Sequence, residues 1–309
     1  MATRVKRKVR IKKKNFAVFL AFIMFFAFSL YEIGFVIYKV ITTTPREPEI
    51  EVRKPKKNTV KEEIPEYDKK LKKLNNVNQK VSYFWPENID RYIKYKEKNK
   101  KMDDIQIVKN VNMNLDLTPY EDTFKALYLE KPNVLVNKYY YLAEDYIPAN
   151  LEKISVRYAL SGARMVSYAK NAFEDLASDA QKEDLNIVAM SAYRSYDYQI
   201  NLYNRYKNQD GMEAADSYSG RPGHSEHQTG LAVDVYNEIE NYTDFEETEE
   251  FSWMQENAYK YGFILRFPKD KEHETGYIYE SWHYRYVGKK IAKYIHEHDI
   301  SLEEYIATH

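Results

Sequence analysis

The chain has no cysteine among its 309 residues. Disulfides, thiolate zinc sites and thiol catalysis are therefore excluded, but compartment is left open, because an exported protein can avoid thiols altogether. No acidic residue precedes Asn15, whereas eight lysines and arginines do. The whole chain carries 47 basic and 47 acidic side chains, so the rest holds 39 basic against 47 acidic, a net of −8. That balance argues against nucleic acid as a partner. No internal repeat is visible at the period of about 20–50 residues that marks solenoids and propellers. What is plentiful is tyrosine, at 30 residues. Its apolar ring and polar tip suit surfaces and clefts rather than any one activity.

The run KNFAVFLAFIMFFAFSLYEIGFVIYKV follows the basic cluster. As a helix, Phe16 to Ile41 would extend about 39 Å, enough to cross a hydrocarbon core of about 30 Å. The expectation is a cell-membrane protein with a single transmembrane anchor over 15–41. The basic arm, 1–14, stays cytoplasmic and the remainder lies outside. Glu32 fits such a span near its outer interface, because a charge at depth is costly. A long cleaved signal is the alternative, although ITTTP is a poor cleavage site. Residues 42–78, rich in Lys, Glu and Pro, have the composition of an extracellular tether.

A small lead-in lobe is expected over 79–131. Pro86 followed by Ile89, Tyr92 and Ile93 reads as a short helix, and IQIVKNVNMNL as a strand; NVLVNKYYYL, just beyond, reads as another. Residues 132–309 are the expected main domain, and from about Leu151 the pattern sharpens. Ala163, Val166, Ala169, Phe173, Leu176 and Ala180 recur at helical steps, and LNIVAMS reads as a buried strand. In GLAVDVY, Leu231, Val233 and Val235 should face one side, and Ala232 and Asp234 the other. FILRF and WHYRYV read as further strands, and Ser301 with Glu304 has capping-box spacing. Helices and strands mixed without a strict βαβ repeat imply an α+β fold.

All seven histidines lie after residue 223. His273, His296, His298 and His309 sit in charged, terminal or loop surroundings and read as solvated. His227, Asp234 and His283 are different. A carboxylate inside an apolar strand must be paired, protonated or bound to a cation. Two imidazoles and one carboxylate on neighbouring strands suit a three-ligand zinc site with water in the fourth position. A buried His–Asp hydrogen-bonded pair explains the same spacing.

Three blocks decide between these readings. SEHQTGLAVD (Ser225–Asp234) resembles the Ser-x-His-x-x-Gly-x-Ala-x-Asp pattern of the zinc D-alanyl-D-alanine carboxypeptidases, which include the vancomycin-resistance carboxypeptidases. YESWHYRYVG resembles the family's Glu-x-Trp-His signature, and SAYRSYDYQ a third block. The likeness covers residues 132 to 300, with the blocks in the family's order. It departs at Ser281, where the family often has proline. The resemblance implies a Hedgehog/DD-peptidase-like zinc peptidase domain with a small central antiparallel sheet flanked by helices, preceded by one transmembrane helix. It implies His227, Asp234 and His283 as ligands of one zinc ion per chain, Glu280 as catalytic base and Arg194 on the substrate, with Ser225 and Gln199 as helpers. Peptidoglycan stem peptides or their precursors are the implied partner, and the bilayer a second one through the N-terminal helix. The reaction would be removal of the C-terminal D-alanine.

The chemistry is coherent from first principles. A peptide bond beside a free carboxylate needs an activated water, a base for its proton and a cation for the terminal anion. Arg194 offers a planar fork for that anion or for the developing oxyanion. Glu280 and His283, three apart, point to opposite faces of an extended strand, so a bulge or turn must aim both inward. His224 reads as a pocket-wall residue. Tyr193, Tyr198, Arg266, Trp282 and Arg285 are candidates for a groove lining, with packing or surface roles the plainer reading. L,D-carboxypeptidase or endopeptidase activity, a wall-binding module without turnover, and an anchored adhesion-like protein are the alternatives.

Overall fold

The computed structural model describes residues 60–160, 162–238 and 241–309. The expected basic arm, anchor and most of the tether lie outside them. Among the described residues no helix is long and apolar enough to cross a membrane. The tether ends sooner than its composition suggests. Residues Val60–Lys73 form helix α1, and Leu71, Leu74 and Val77 are buried. They pack with Tyr92 of α2 (Ile89–Lys98) and with Ile107, Val108 and Val111 of α3 (Asp104–Asn112) in a small apolar core of their own. The lead-in lobe therefore begins on α1, before residue 79. It closes after α3, because Ala126 already belongs to the main core.

Helix α3 corrects the expected strand. Asp103 accepts from the backbone N–H groups of Ile105 (2.8 Å) and Gln106 (3.0 Å), an N-cap that starts a helix. Ile107, Val108 and Val111 then fall on one helical face, and burying that face outweighs the strand preference of β-branched residues. NVLVNKYYYL is likewise mostly irregular. Only Tyr140–Tyr141 (β2) is a strand, paired in parallel with Phe124–Lys125 (β1).

The main body is the expected α+β arrangement. Leu151–Lys153 (β3) pairs with Arg164–Val166 (β4), and α4 (Ser167–Gln181) buries Ala169, Phe173, Leu176 and Ala180. The central sheet has four antiparallel strands in the order β5-β6-β8-β7. These are Val188–Ser191 (β5), Ala232–Tyr236 (β6), Phe263–Leu265 (β7) and His283–Tyr286 (β8). Val233 and Val235 enter the main core with Phe173 and Phe263, so Ala232 and Asp234 face the opposite side, as the alternation requires. Helices α5 (Tyr196–Asp210) and α6 (Met212–Tyr218) follow β5, and α7 (Glu249–Asn257) follows β6. The short α8 (Glu272–Thr275), α9 (Lys289–His298) and α10 (Leu302–Thr308) complete the chain. Ser301 caps α10 by accepting from Glu304 N at 3.0 Å, while the Glu304 carboxylate pairs with Lys109 of α3.

Candidate metal centre

The site lies on the face of the sheet opposite the main core. In the register of β6 and β8, Asp234 stands directly across from His283. His227 arrives from a short helical turn, Glu226–Thr229, that ends at Gly230 with a left-handed φ of 68°. A Cβ at Gly230 would come within 2.9 Å of Leu151 and 3.1 Å of Val166, so conformation and space both demand glycine. His227, Asp234 and His283 each offer one ligand atom, all within 4.8 Å of one another, and all three residues are buried. His227 Nε2 lies 3.3 Å from Asp234 Oδ2, and His283 Nδ1 3.1 Å from Asp234 Oδ1.

The donor atoms fit one divalent ion. His227 Nδ1 is taken by the Ala192 carbonyl at 2.6 Å, which fixes the proton there and leaves the Nε2 lone pair free. His227 Nε2 and Asp234 Oδ1 are buried without a hydrogen-bond partner. Burial pushes the His227 imidazole down to about 4, and neighbouring Arg194 adds to the shift. Burial works against ionising Asp234, but the two imidazoles hold its carboxyl well below the usual range. Burial also opposes charge on His283, yet Asp234 and Glu226 raise it to about 9, drawing a proton to where a cation would sit. Neutral imidazole and ionised carboxylate are the forms that ligate zinc.

Glu280 stands beside this set, its Oε2 3.7 Å from His283 Nδ1. Burial pushes its carboxyl up to about 8. The turn that the i, i+3 spacing requires is present: His283 N approaches the Glu280 carbonyl at 3.4 Å across Ser281 and Trp282, just before β8. Arg194 also points inward. A bulge at Met190 shifts the β5–β6 register, and Arg194 N then donates to the His227 carbonyl at 3.2 Å. Its Nη1 lies 3.5 Å from Asp234 Oδ2, and its buried Nε has no partner. Ser225, buried, lines the same groove. The groove has a volume of about 600 Å³; Tyr198, His224, Tyr242 and Trp282 also line it. Gln199 is buried on α5. Its Nε2 donates to Gly220 O (2.7 Å) and Ser219 Oγ (3.3 Å), so it braces the approach loop.

Reading the sequence missed one group. Glu226, the variable position of the Ser-x-His motif, is buried with Arg266 and Arg285, and its Oε1 accepts from both at 2.8 Å. Arg266 also grips Glu303 of α10 through two bonds of 2.9 and 2.6 Å. Burial works against ionising Glu226, but the two guanidinium groups hold its carboxyl far below the usual range. The signal was present: each arginine interrupts an apolar strand, the same anomaly that singled out Asp234.

The chain is similar to several known proteins. Residues 162–289 match the family model described as VanY: D-alanyl-D-alanine carboxypeptidase. YodJ of Bacillus subtilis (strain 168) is 43% identical over 178 residues, 55% of this chain and 65% of YodJ. The structure of LdcB, an LD-carboxypeptidase, superposes with a TM-score of 0.57 at 38% identity, covering 61% of this chain and 91% of that one. VanYB, solved with D-alanine-D-alanine, and VanY of the VanB-type resistance cassette, solved with Zn(II), each give a TM-score of 0.50 at 32% identity. Both cover 57% of this chain and 98% of their own. The chain belongs to the VanY D-alanyl-D-alanine carboxypeptidase family. It spans just under two thirds of YodJ's length.

Proposed function

We propose that this protein is a zinc metallocarboxypeptidase that removes the C-terminal D-alanine from peptidoglycan stem peptides. The observation that carries the reading is the convergence of His227, Asp234 and His283 at a groove also lined by Glu280 and Arg194. VanY of the VanB-type cassette, which binds Zn(II), and VanYB, which binds D-alanine-D-alanine, support the ion and the substrate class. The apolar run over 15–41 supports an anchor in the cell membrane, with the catalytic domain outside.

In this reading, His227 Nε2, Asp234 and His283 Nδ1 hold the ion. A bound zinc ion supplies Lewis acidity, polarising the scissile carbonyl and lowering the pKa of water at the site. Glu280 takes the proton from the attacking water and returns it to the leaving amine, a transfer its burial beside the ligands favours. Arg194, with unspent donors, holds the substrate's terminal carboxylate or the developing oxyanion. Ser225 contributes a hydroxyl to the groove wall. D-alanine release from a pentapeptide stem, assayed with and without a chelator, tests the reading. Loss on chelation and recovery with added zinc are expected; equal rates would remove the metal from the account.

A second reading is favoured by the likeness to LdcB, an LD-carboxypeptidase. On it the same residues would cut a tetrapeptide to a tripeptide. Offering tetrapeptide and pentapeptide together and weighing the products separates the two.

A further inference from the structure

Each ring nitrogen of His283 faces a carboxylate. Nδ1 points to Asp234, whereas Nε2 points to Glu226 Oε2 at 3.6 Å. Neither Nε2 nor that oxygen has a hydrogen-bond partner, although both belong to buried residues. The other oxygen, Oε1, suffices for both arginines. Arg285 is fixed in turn by the carbonyls of Pro132 (2.9 Å) and Val134 (2.7 Å), and Arg266 by Glu303. Glu226 is thus immobilised through one oxygen while the other is aimed at the back of a metal-facing imidazole. A merely structural counterion would not need that second oxygen to face His283.

We propose that Glu226 is the positioning residue for His283, accepting its Nε2–H and so committing Nδ1 to the ion. The inference rests on the metal reading above. An imidazole that ligates through Nδ1 must carry its proton on Nε2, and Glu226 Oε2 is the carboxylate oxygen in contact with it. Such a partner fixes the tautomer and ring orientation and raises the basicity of the ligand. His227 is held in the opposite tautomer by the Ala192 carbonyl, so the two imidazoles present different nitrogens to one ion.

The test measures zinc affinity of the full chain by competition with a chromogenic chelator, alongside the far-UV circular dichroism of the metal-free protein. Glu226→Gln should weaken zinc binding by about 10–100-fold, while Glu303→Gln, which touches Arg266 but not His283, should stay within about threefold of wild type. Zinc held equally by wild type and a folded Glu226→Gln overturns the assignment of Glu226 alone. A wild type that binds no zinc removes the metal reading with it. Should Glu226→Gln fail to fold, the wild type labelled with ¹⁵N-histidine and loaded with zinc decides. A slowly exchanging Nε2 proton on an Nδ1-ligated His283 is expected, and free exchange with solvent or ligation through Nε2 refutes the proposal.

Discussion

Replacing Arg266 with methionine should destabilise the protein by about 3–5 kcal/mol, the usual result of breaking a buried ion pair by removing one partner. Arg266 is 1% exposed and donates three hydrogen bonds of 2.6–2.9 Å. Without it, Glu226 keeps Arg285, but Glu303, also 1% exposed, is left with Asn137 at 3.1 Å as its side-chain partner. The cost therefore comes mainly from one stranded carboxylate on α10 rather than from lost packing, since methionine fills much of the arginine stem's volume. For a domain of this size about 1 kcal/mol moves the midpoint by about 2–4 °C, so a fall of roughly 10 °C is expected in thermal unfolding followed by circular dichroism. Adding Glu303→Leu to Arg266→Met should recover most of that loss, because the stranded charge is gone. A single variant within about 2 °C of wild type, or a double variant no better than the single, would refute the argument that an uncompensated charge dominates.

Glu280→Gln should retain zinc in metal analysis and lose about 10²–10⁴ of turnover, and near-wild-type turnover would refute its role as base. Gly230→Ala should lower the thermal midpoint, because its Cβ would sit 2.9 Å from Leu151 at a positive φ; an unchanged melt would show that the turn can relax. Burial raises the Glu274 carboxyl above its ordinary value. Its folded form therefore holds its proton to higher pH than the unfolded chain does. Stability is highest below the unfolded pKa and falls as pH rises through the folded one. Glu274→Gln should accordingly raise the melting temperature at pH 7 but not at pH 4, and an equal shift at both would remove Glu274 from the pH dependence.

The parts of the site legible in the sequence were those where a polar residue interrupts an apolar rhythm. Asp234 was found that way, and its side of β6 followed from alternation. Arg266 and Arg285 carried the same signal. They read only as groove-lining, packing or surface residues because a lone arginine in a strand does not name its partner, and Glu226 and Glu303 lie 40 and 37 residues from Arg266. The α3 helix was hidden by β-branched residues that suit either structure until Asp103 caps the backbone. For Gln199 the motif position fixes the neighbourhood, whereas the direction of its amide, toward the Gly220 carbonyl, came only with the tertiary structure.

Local composition and spacing determined which residue types stood ready for metal chemistry, which strand faces were apolar and where the turns had to fall, because these depend on neighbours one to four positions away. Tertiary structure alone decided that Asp234 meets His283 across a particular register, that Met190 bulges so that Arg194 turns inward, and that α10 sends Glu303 to a buried arginine. Those contacts join positions far apart in the chain, and the free energy that selects them comes from burying the whole sheet face and pairing every charge that burial encloses.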